Sequence, residues 1–405
     1  MNDQPKKESI WSVAFVILLM ANFFQSMATF MANTTLPLYV ESLGAGAGAV
    51  GIVIGAFAIT SLLSRPFAGP AFDSFSRKKL LMCAQGAIAA SFVLYGFTKS
   101  IPAVFAVRLL HGLGIGCIAP LAMSLVSEYL PQPKMASGIS VFTLSQTMAQ
   151  VIGPAMGLWL IDALGYQNTY LIAAGLLFAS FASIIRLKEI ERERPPYQLK
   201  PNRMFARKAI SGAAVLGLFA TAYGATTSYL VLYGTKLGIS HLGAYFMVYA
   251  FCLMATRPLF GSLSDRFGAH RILIPGTLCF AASYVMLAHV HSFSSLMVVA
   301  VMASAGFAAC VPLVQSMAMT SVPPQRRGAA CNTVYTGLDL GNLLGPIIAG
   351  GAIELLQPTC GSLLSAYAHM WYVMIIPQVL ALGIIVWWNV HIKTDSSINQ
   401  DDTSN

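Results

Sequence analysis

The chain repeats one sequence pattern at a constant spacing. Residues 64–69 (SRPFAG) return as residues 256–261 (TRPLFG), so that Arg65 corresponds to Arg257 and the offset, 257 − 65, is 192. The same offset relates Asp73 to Asp265 and the pair Gly153-Pro154 to Gly345-Pro346. A register that holds for roughly a hundred residues without insertions predicts two copies of one structural unit.

The composition places these two copies in a membrane. Hydrophobic residues make up 56% of the chain and charged residues only 10%, whereas a soluble domain carries about 25% charge. Spanning helices need about 20 apolar residues each. The sequence predicts an all-α membrane protein of twelve spans, six in each half, at residues 11–38, 47–70, 80–98, 102–128, 136–163, 167–186, 209–234, 242–262, 272–290, 293–321, 328–356 and 366–390.

Lysine and arginine predict the orientation of these spans. They gather at one set of span ends and loops, expected to be cytoplasmic with both termini: Lys6, Lys7, Arg65, Arg77, Lys78, Lys79, Lys134, the run 186–208, Arg257, Arg266, Arg271, Arg326, Arg327 and Lys393. The opposite loops keep only Lys99 and Lys236. The net charge of +9 therefore indicates topology in a cell membrane, with the compact loops of a bacterial inner membrane, and not nucleic-acid binding.

The predicted organisation is an N-terminal half at 1–187, a charged cytoplasmic linker at 188–208, a C-terminal half at 209–391 and a disordered tail at 392–405. The seven cysteines show no metal-ligand or disulfide spacing, so we expect no metal and no cofactor. Residues 46–51 (GAGAVG) fit a nucleotide-binding pattern, but no strand precedes them and a membrane span follows, so a flexible outer loop that enters the second span is the better interpretation. No ATP-binding P-loop is present, so energy has to come from a gradient or from the substrate.

The loop between spans 2 and 3, residues 69–79 (GPAFDSFSRKK), resembles the signature loop of the major facilitator superfamily, and residues 261–271 (GSLSDRFGAHR) resemble it again in the second half. The resemblance implies a twelve-helix transporter that works as a monomer. A carboxylate at such a helix end can accept charge-assisted hydrogen bonds, which predicts a conformational clasp made of Gly69, Asp73, Arg77, Gly261, Asp265 and Arg266. The alternative is that the basic residues only anchor topology.

Two further elements are similar to this superfamily. Residues 108–116 (RLLHGLGIG) in span 4 resemble an element that places an arginine inside the membrane in proton-coupled exporters. Arg108 needs a partner or a wet cavity there, unless it reaches the outer surface; His111 beside it is either a proton carrier or a packing residue. Residues 149–157 and 341–350 resemble the glycine-proline element of antiporters. Small residues permit close helix packing, a role predicted for Gly112, Gly116, Gly153, Pro154, Gly345 and Pro346.

Polar residues inside the spans follow helical stripes. Span 1 carries them at steps of three and four, and the span-11 set maps onto the span-5 set by the same offset of 192. Matched polar faces on symmetry-related helices predict a central cavity, although polar residues can also hold helices together. The predicted lining from spans 1, 5 and 11 is Asn22, Gln25, Thr29, Asn33, Thr143, Gln146, Thr147, Gln150, Asn332, Tyr335 and Asn342.

Asp339 and a group of aromatic residues complete the prediction. Asp339 lies about eleven residues, roughly 17 Å, inside span 11, where a carboxylate suits proton binding or a cationic substrate; a structural polar contact is the alternative. Tyr223, Thr226, Thr227, Tyr245 and Tyr249 suggest a pocket for amphipathic molecules. Glu41, Asp162 and Glu354 lie near outer helix ends, where solvation is expected.

The sequence therefore predicts a transporter and not an enzyme. We expect it to exchange protons for a small organic compound by alternating access, with Asp339, Arg108 and His111 as proton-coupling candidates. Proton-symport uptake of a metabolite would use the same fold and residues. A non-transporting membrane sensor or scaffold is the remaining alternative, and it would need a signalling domain or a long partner-binding tail.

Overall fold

The computed structural model describes residues 9–131, 134–189, 196–198, 204–323 and 326–401. Within these ranges the side chains of Gly69, Asp73, Ala136 and 389–401 are not described. Most of the predicted linker, the end of the tail and two members of the predicted clasp, Gly69 and Asp73, therefore lie outside the described part of the chain.

Long helices account for nearly all of the described residues. The first half contains α1 (Val13–Ser42), α2 (Ala47–Ser74), α3 (Arg77–Phe97), α4 (Ile101–Tyr129) and α5 (Met135–Ile185). The second half contains α6 (Ile210–Lys236), α7 (Gly243–Phe267), α8 (Ala269–Ala288), α9 (Phe293–Thr320), α10 (Arg327–Cys360), α11 (Leu363–Val373) and α12 (Ile375–Asp401). A short 3₁₀ turn, Arg207–Ala209, leads into α6.

The helix lengths agree with twelve membrane spans. Eleven described stretches are long and apolar enough to cross a membrane, and one of them, α5, has 51 residues, which is too long for one crossing. Gly165 interrupts α5 with a φ of 76°, a conformation that favours glycine. The interruption falls in the predicted gap between spans 5 and 6. The predicted all-α fold is confirmed. Because α5 contains both span 5 and span 6, spans 7 to 11 correspond to α6 to α10, and span 12 is divided between α11 and α12.

The chain divides into two compact units that differ from the predicted halves in one segment. Unit 1 comprises Met1–Tyr39 and Ile59–Leu199, and unit 2 comprises Val40–Ala58 and Lys200–Asn405. The first part of α2 therefore groups with the second repeat and its remainder with the first. The helix α12 continues to Asp401, into the segment for which the sequence predicts disorder.

Two arginines lie deeper in their helices than the sequence suggests. The prediction places Arg65 and Arg257 at cytoplasmic span ends, but α2 continues to Ser74 and α7 to Phe267. Arg257 therefore lies ten residues before the end of α7, which corresponds to about 15 Å along the helix. Because α2 and α7 continue further than predicted, Arg65 and Arg257 lie well inside their helices, as Arg108 does.

Glycines bring neighbouring helices within each unit close together. In unit 2, a Cβ added at Gly337, Gly341 or Gly345 of α10 would overlap backbone oxygens of α6. In unit 1, a Cβ at Gly153 of α5 would lie 2.9 Å from the Met27 carbonyl oxygen of α1. Gly116 of α4 meets Ser61 and Ser64 of α2 in the same way. These contacts depend on the absence of a side chain.

Candidate functional site

A polar network joins α1 to α5 inside unit 1. Asn22 Nδ2 donates to Ser145 Oγ at 2.9 Å, and Gln25 Nε2 donates to Thr29 Oγ1 at 3.0 Å. A small cavity beside the network is lined by Asn22 and Gln25 together with Gln85 of α3 and apolar side chains. Three predicted lining residues of span 1 thus lie at or beside a small, mostly apolar cavity, and Ser145 and Gln85 join them without having been predicted.

Arg108 lies in a buried cluster of unit 1. Its side chain is only 1% exposed, and its Nη2 donates to Asn33 Oδ1 at 3.3 Å. Its Nη1 lies 3.4 Å from Nδ1 of His111, and the Tyr95 hydroxyl lies 3.3 Å from the same nitrogen. The guanidinium therefore has protein partners and does not need to reach the outer surface.

The geometry of the Arg108 cluster defines the tautomer of His111. Since a guanidinium only donates hydrogen bonds, Nδ1 of His111 has to accept, and the proton of the neutral ring then lies on Nε2. Nε2 is buried and has no hydrogen-bond partner among the residues that the structure describes. A second proton on Nδ1 would face the cation of Arg108, so the arrangement favours a neutral His111.

The remaining span-5 candidates differ in their surroundings. The hydroxyls of Thr143 and Thr147 donate to carbonyl oxygens four residues earlier in α5, at 2.9 and 3.3 Å. Gln146 is exposed and Gln150 is half-buried. The two threonines therefore satisfy their hydroxyl donors within their own helix and keep their acceptor capacity.

In unit 2, Asp339 lies on a buried face of α10. Its side chain is 6% exposed, and it is the only acidic residue classed as buried among the side chains that the structure describes. Asn332 donates to the Met204 carbonyl oxygen at 3.0 Å, which ties α10 to the segment before α6. Tyr335 and Asn342 are half-buried, and Asn342 lies beside Gly224 of α6.

An aromatic pocket lies between α6, α7, α8 and α9 of unit 2. Its wall contains four of the five residues predicted from spans 7 and 8, namely Tyr223, Thr226, Tyr245 and Tyr249. The other residues of the wall are Phe280, Ser283, Tyr284, Leu287, Val299 and Ala303. Thr226 bonds to the hydroxyl of Tyr284 at 3.0 Å. Thr227 lies outside this wall and donates to the Gly224 carbonyl oxygen at 3.1 Å.

The acidic residues at outer helix ends have specific partners. Glu354 Oε1 accepts from the backbone nitrogen of Gly48 at 2.8 Å, where a carboxylate is favoured by the α2 N-terminus. Glu41 pairs with Lys236 at 2.8 Å. Both residues are solvent-accessible, as expected, and each has in addition a partner that is distant in sequence. Residues 47–51 form the first turn of α2, whose start at Ala47 agrees with the predicted start of span 2.

The signature loops differ between the repeats. Arg77 forms a 2.6 Å salt bridge with Glu128 of α4 and donates to the Phe72 carbonyl oxygen at 3.0 Å. In the second loop, Asp265 and Arg266 are exposed, Gly261 is half-buried, and Arg266 lies over the ring of Phe267. Glu128 is thus a further partner of the loop that the sequence pattern does not reveal.

Twelve membrane-crossing stretches, built from two related sets of six, are the architecture of a secondary transporter. The chain belongs to the major facilitator superfamily, whose family model matches residues 18–256 and 242–401. This membership confirms the resemblance seen in the signature loops. The protein is therefore a multi-pass membrane transporter for small organic substrates, and the cell membrane is its location.

Relatives from several bacteria cover most of the chain. The uncharacterized MFS-type transporter YuxJ of Bacillus subtilis is 27% identical over 82% of this chain and 89% of its own length. Multidrug resistance protein MdtG of Enterobacter lignolyticus is 27% identical over 84% and 85%. The staphylopine export protein of Staphylococcus aureus is 26% identical over 61% and 64%.

Solved structures share the fold at low sequence identity. The POT family transporter PepTSo has a TM-score of 0.81 at 10% identity, covering 95% of this chain and 99% of its own. The nucleoside transporter NupG has a TM-score of 0.77 at 14% identity, covering 92% and 99%. Their likeness concerns the fold alone.

Proposed function

We propose that the protein exports a small amphipathic organic compound in exchange for protons, by alternating access. The observation that carries this proposal is the position of Asp339. It lies twelve residues from the start of α10, about 18 Å along the helix axis. A buried carboxylate at that depth suits a site that binds and releases protons during transport.

Export is the proposed direction because two groups of relatives are named for it. MdtG is called a multidrug resistance protein, and the staphylopine relative is called an export protein. The aromatic side chains around the pocket of unit 2 suit contact with the apolar body of a substrate, while the amides of α1 suit contact with polar groups. In this scheme Arg108 positions the polar cluster of unit 1, and His111 stays neutral beside it.

Orientation and conformational control complete the proposal. Both termini are proposed to be cytoplasmic, because the basic residues gather at the matching helix ends. The two signature loops are proposed to act as the cytoplasmic clasp, and the Arg77–Glu128 pair supports an ordered loop between α2 and α3. The transport unit is proposed to be a monomer.

Proton release from inverted vesicles tests the proposal. Intact protein should release protons from acidified vesicles when a substrate is added from a panel of amphipathic cations, anions and neutral compounds. Asp339→Asn should abolish this release while leaving folded protein in the membrane, because an amide cannot carry the proton. Asp162→Asn makes the same chemical change at an exposed position and should keep the release.

Two outcomes would contradict the proposal. Full proton release by Asp339→Asn would remove Asp339 from the coupling scheme. Accumulation of a labelled substrate in right-side-out vesicles, driven by an inward proton gradient, would show symport uptake instead of export.

A further inference from the structure

One row of side chains runs along the inner side of α7. Tyr245, Tyr249, Leu253 and Arg257 follow one another at a spacing of four residues, so they share one face of the helix. The first three are buried. Arg257 continues this row beyond the aromatic pocket, about 12 Å along the axis from Tyr249.

Two polar atoms in this row have no hydrogen-bond partner among the described residues. The hydroxyl of Tyr249 and the Nε of Arg257 are buried, and neither forms a hydrogen bond in the described part of the chain. Tyr249 is 97% buried, with 3% of its surface exposed, and its ring lines the aromatic pocket. Buried donors without partners are rare and costly, so an arrangement that retains two of them indicates a ligand.

The charges around these donors indicate the kind of ligand. Arg257 lies within electrostatic range of Tyr249 and Tyr223, and helical side chains point toward the N-terminus, which directs its guanidinium toward the pocket. No described acidic residue forms a salt bridge with Arg257. A cation bound here would meet an uncompensated positive charge, whereas an anion would receive charge-assisted hydrogen bonds.

We propose that Arg257 and Tyr249 form an anion-binding end of the substrate site. The substrate would be an amphipathic organic anion, with a carboxylate, sulfonate or phosphate on Arg257 and Tyr249 and an apolar body between Tyr223, Tyr245 and Phe280. This inference rests on the proposed function, since it names the substrate class of the same transporter.

Three probes that share one apolar body test the charge preference. Purified full-length protein is dialysed at pH 7 against 2-naphthoate, 2-naphthamide or 2-naphthylmethylammonium, and binding is measured by naphthalene fluorescence. Wild-type protein should bind the carboxylate at least about ten-fold more tightly than the amide, and the ammonium most weakly. Arg257→Gln should reduce the difference between carboxylate and amide to about two-fold or less, and Arg257→Lys should restore part of it.

Matched controls separate this effect from misfolding and from the transport mechanism. Arg271→Gln removes an equal charge from an exposed position on α8 and should retain the preference, and size-exclusion profiles should match for all variants. Tyr249→Phe should weaken carboxylate binding while leaving amide binding nearly unchanged. Asp339→Asn should keep the carboxylate preference, so a failure of proton coupling and a failure of anion recognition are measured separately.

The inference is overturned if 2-naphthoate does not bind at millimolar concentration or binds no better than the amide. It is also overturned if folded Arg257→Gln keeps the full preference. A preference for the ammonium probe would show a cation site and would contradict the assignment of Arg257.

Discussion

The two units each hold an arginine inside a helix, and the two arginines have opposite surroundings. Arg108 of unit 1 is buried against Asn33, His111 and Tyr95. Arg257 of unit 2 has a buried Nε that forms no hydrogen bond with any described residue. A guanidinium whose donors are occupied by protein groups stabilises its surroundings, while one with open donors can bind a ligand. The two arginines are not counterparts in the repeat, since Arg257 corresponds to Arg65, so the two units differ in where they place a buried arginine as well as in its surroundings.

The largest expected effect concerns the glycine contacts that the two units share. Gly345→Ala places a Cβ against the backbone oxygen of Thr221, whereas Gly153→Ala places it 2.9 Å from that of Met27. We expect Gly345→Ala to cost about 3 kcal/mol of stability and Gly153→Ala about 1 kcal/mol, because backbone has to shift further in unit 2. Thermal unfolding of purified protein, followed by tryptophan fluorescence, measures both.

Gly351→Ala is the control for these variants, since a Cβ at Gly351 would meet no atom within 4 Å. Equal losses for Gly345→Ala and Gly153→Ala would mean that the two units tolerate close packing equally. The two units would then differ in their buried polar residues but not in their tolerance of an added Cβ.

The two arginines should respond differently to replacement by methionine. Arg108→Met leaves buried acceptors on Asn33 and His111 unsatisfied, so we expect a loss of about 2 kcal/mol. Arg257→Met removes no protein hydrogen bond, and we expect a change below about 0.5 kcal/mol. Unfolding temperatures of the two variants decide this, and an equal loss in both would indicate that Arg257 has a structural partner.

The smallest expected effect concerns the start of α2. Glu354→Gln removes a carboxylate from the α2 N-terminus and should weaken the α2–α10 contact by about 0.5–1 kcal/mol. Spin labels at the exposed positions Ile52 and Leu355 would report a broader distance distribution. Glu41→Gln disrupts a solvent-accessible side-chain pair with Lys236, which involves no helix N-terminus, and should change the distribution less; the reverse order would contradict the role of Glu354.

Much of the fold follows from local signals in the sequence. Long apolar stretches predict the helices, and Gly165 lies where the sequence predicts a gap between two spans. The repeat also predicts that Gly153 and Gly345 have similar roles, and each faces a neighbouring backbone. These features depend on hydropathy and on the absence of side chains, both of which can be read without knowing contacts.

The partners of the polar residues could not be predicted from local signals in the sequence. Glu354 and Gly48 are separated by 306 residues, and no local pattern identifies such a pair. The sequence predicts that span 8 ends at residue 262 and counts Arg257 among the basic residues of cytoplasmic span ends, yet α7 continues to Phe267. Proline is tolerated in membrane helices when neighbouring groups satisfy the freed carbonyl, which makes the ends of such helices difficult to predict.

The contact between α2 and α10 has a consequence for how easily these helices can separate. Gly51 and Gly55 of α2 lie directly against backbone oxygens of Pro346 and Leu343. Interlocked side chains have to change rotamer before two helices come apart, but a glycine surface has none to change. Among the described hydrogen bonds, separation would break those from Gly48 to Glu354 and from the Tyr229 hydroxyl to the Ala47 carbonyl oxygen. At these glycines, such a joint can open and close without any change of rotamer.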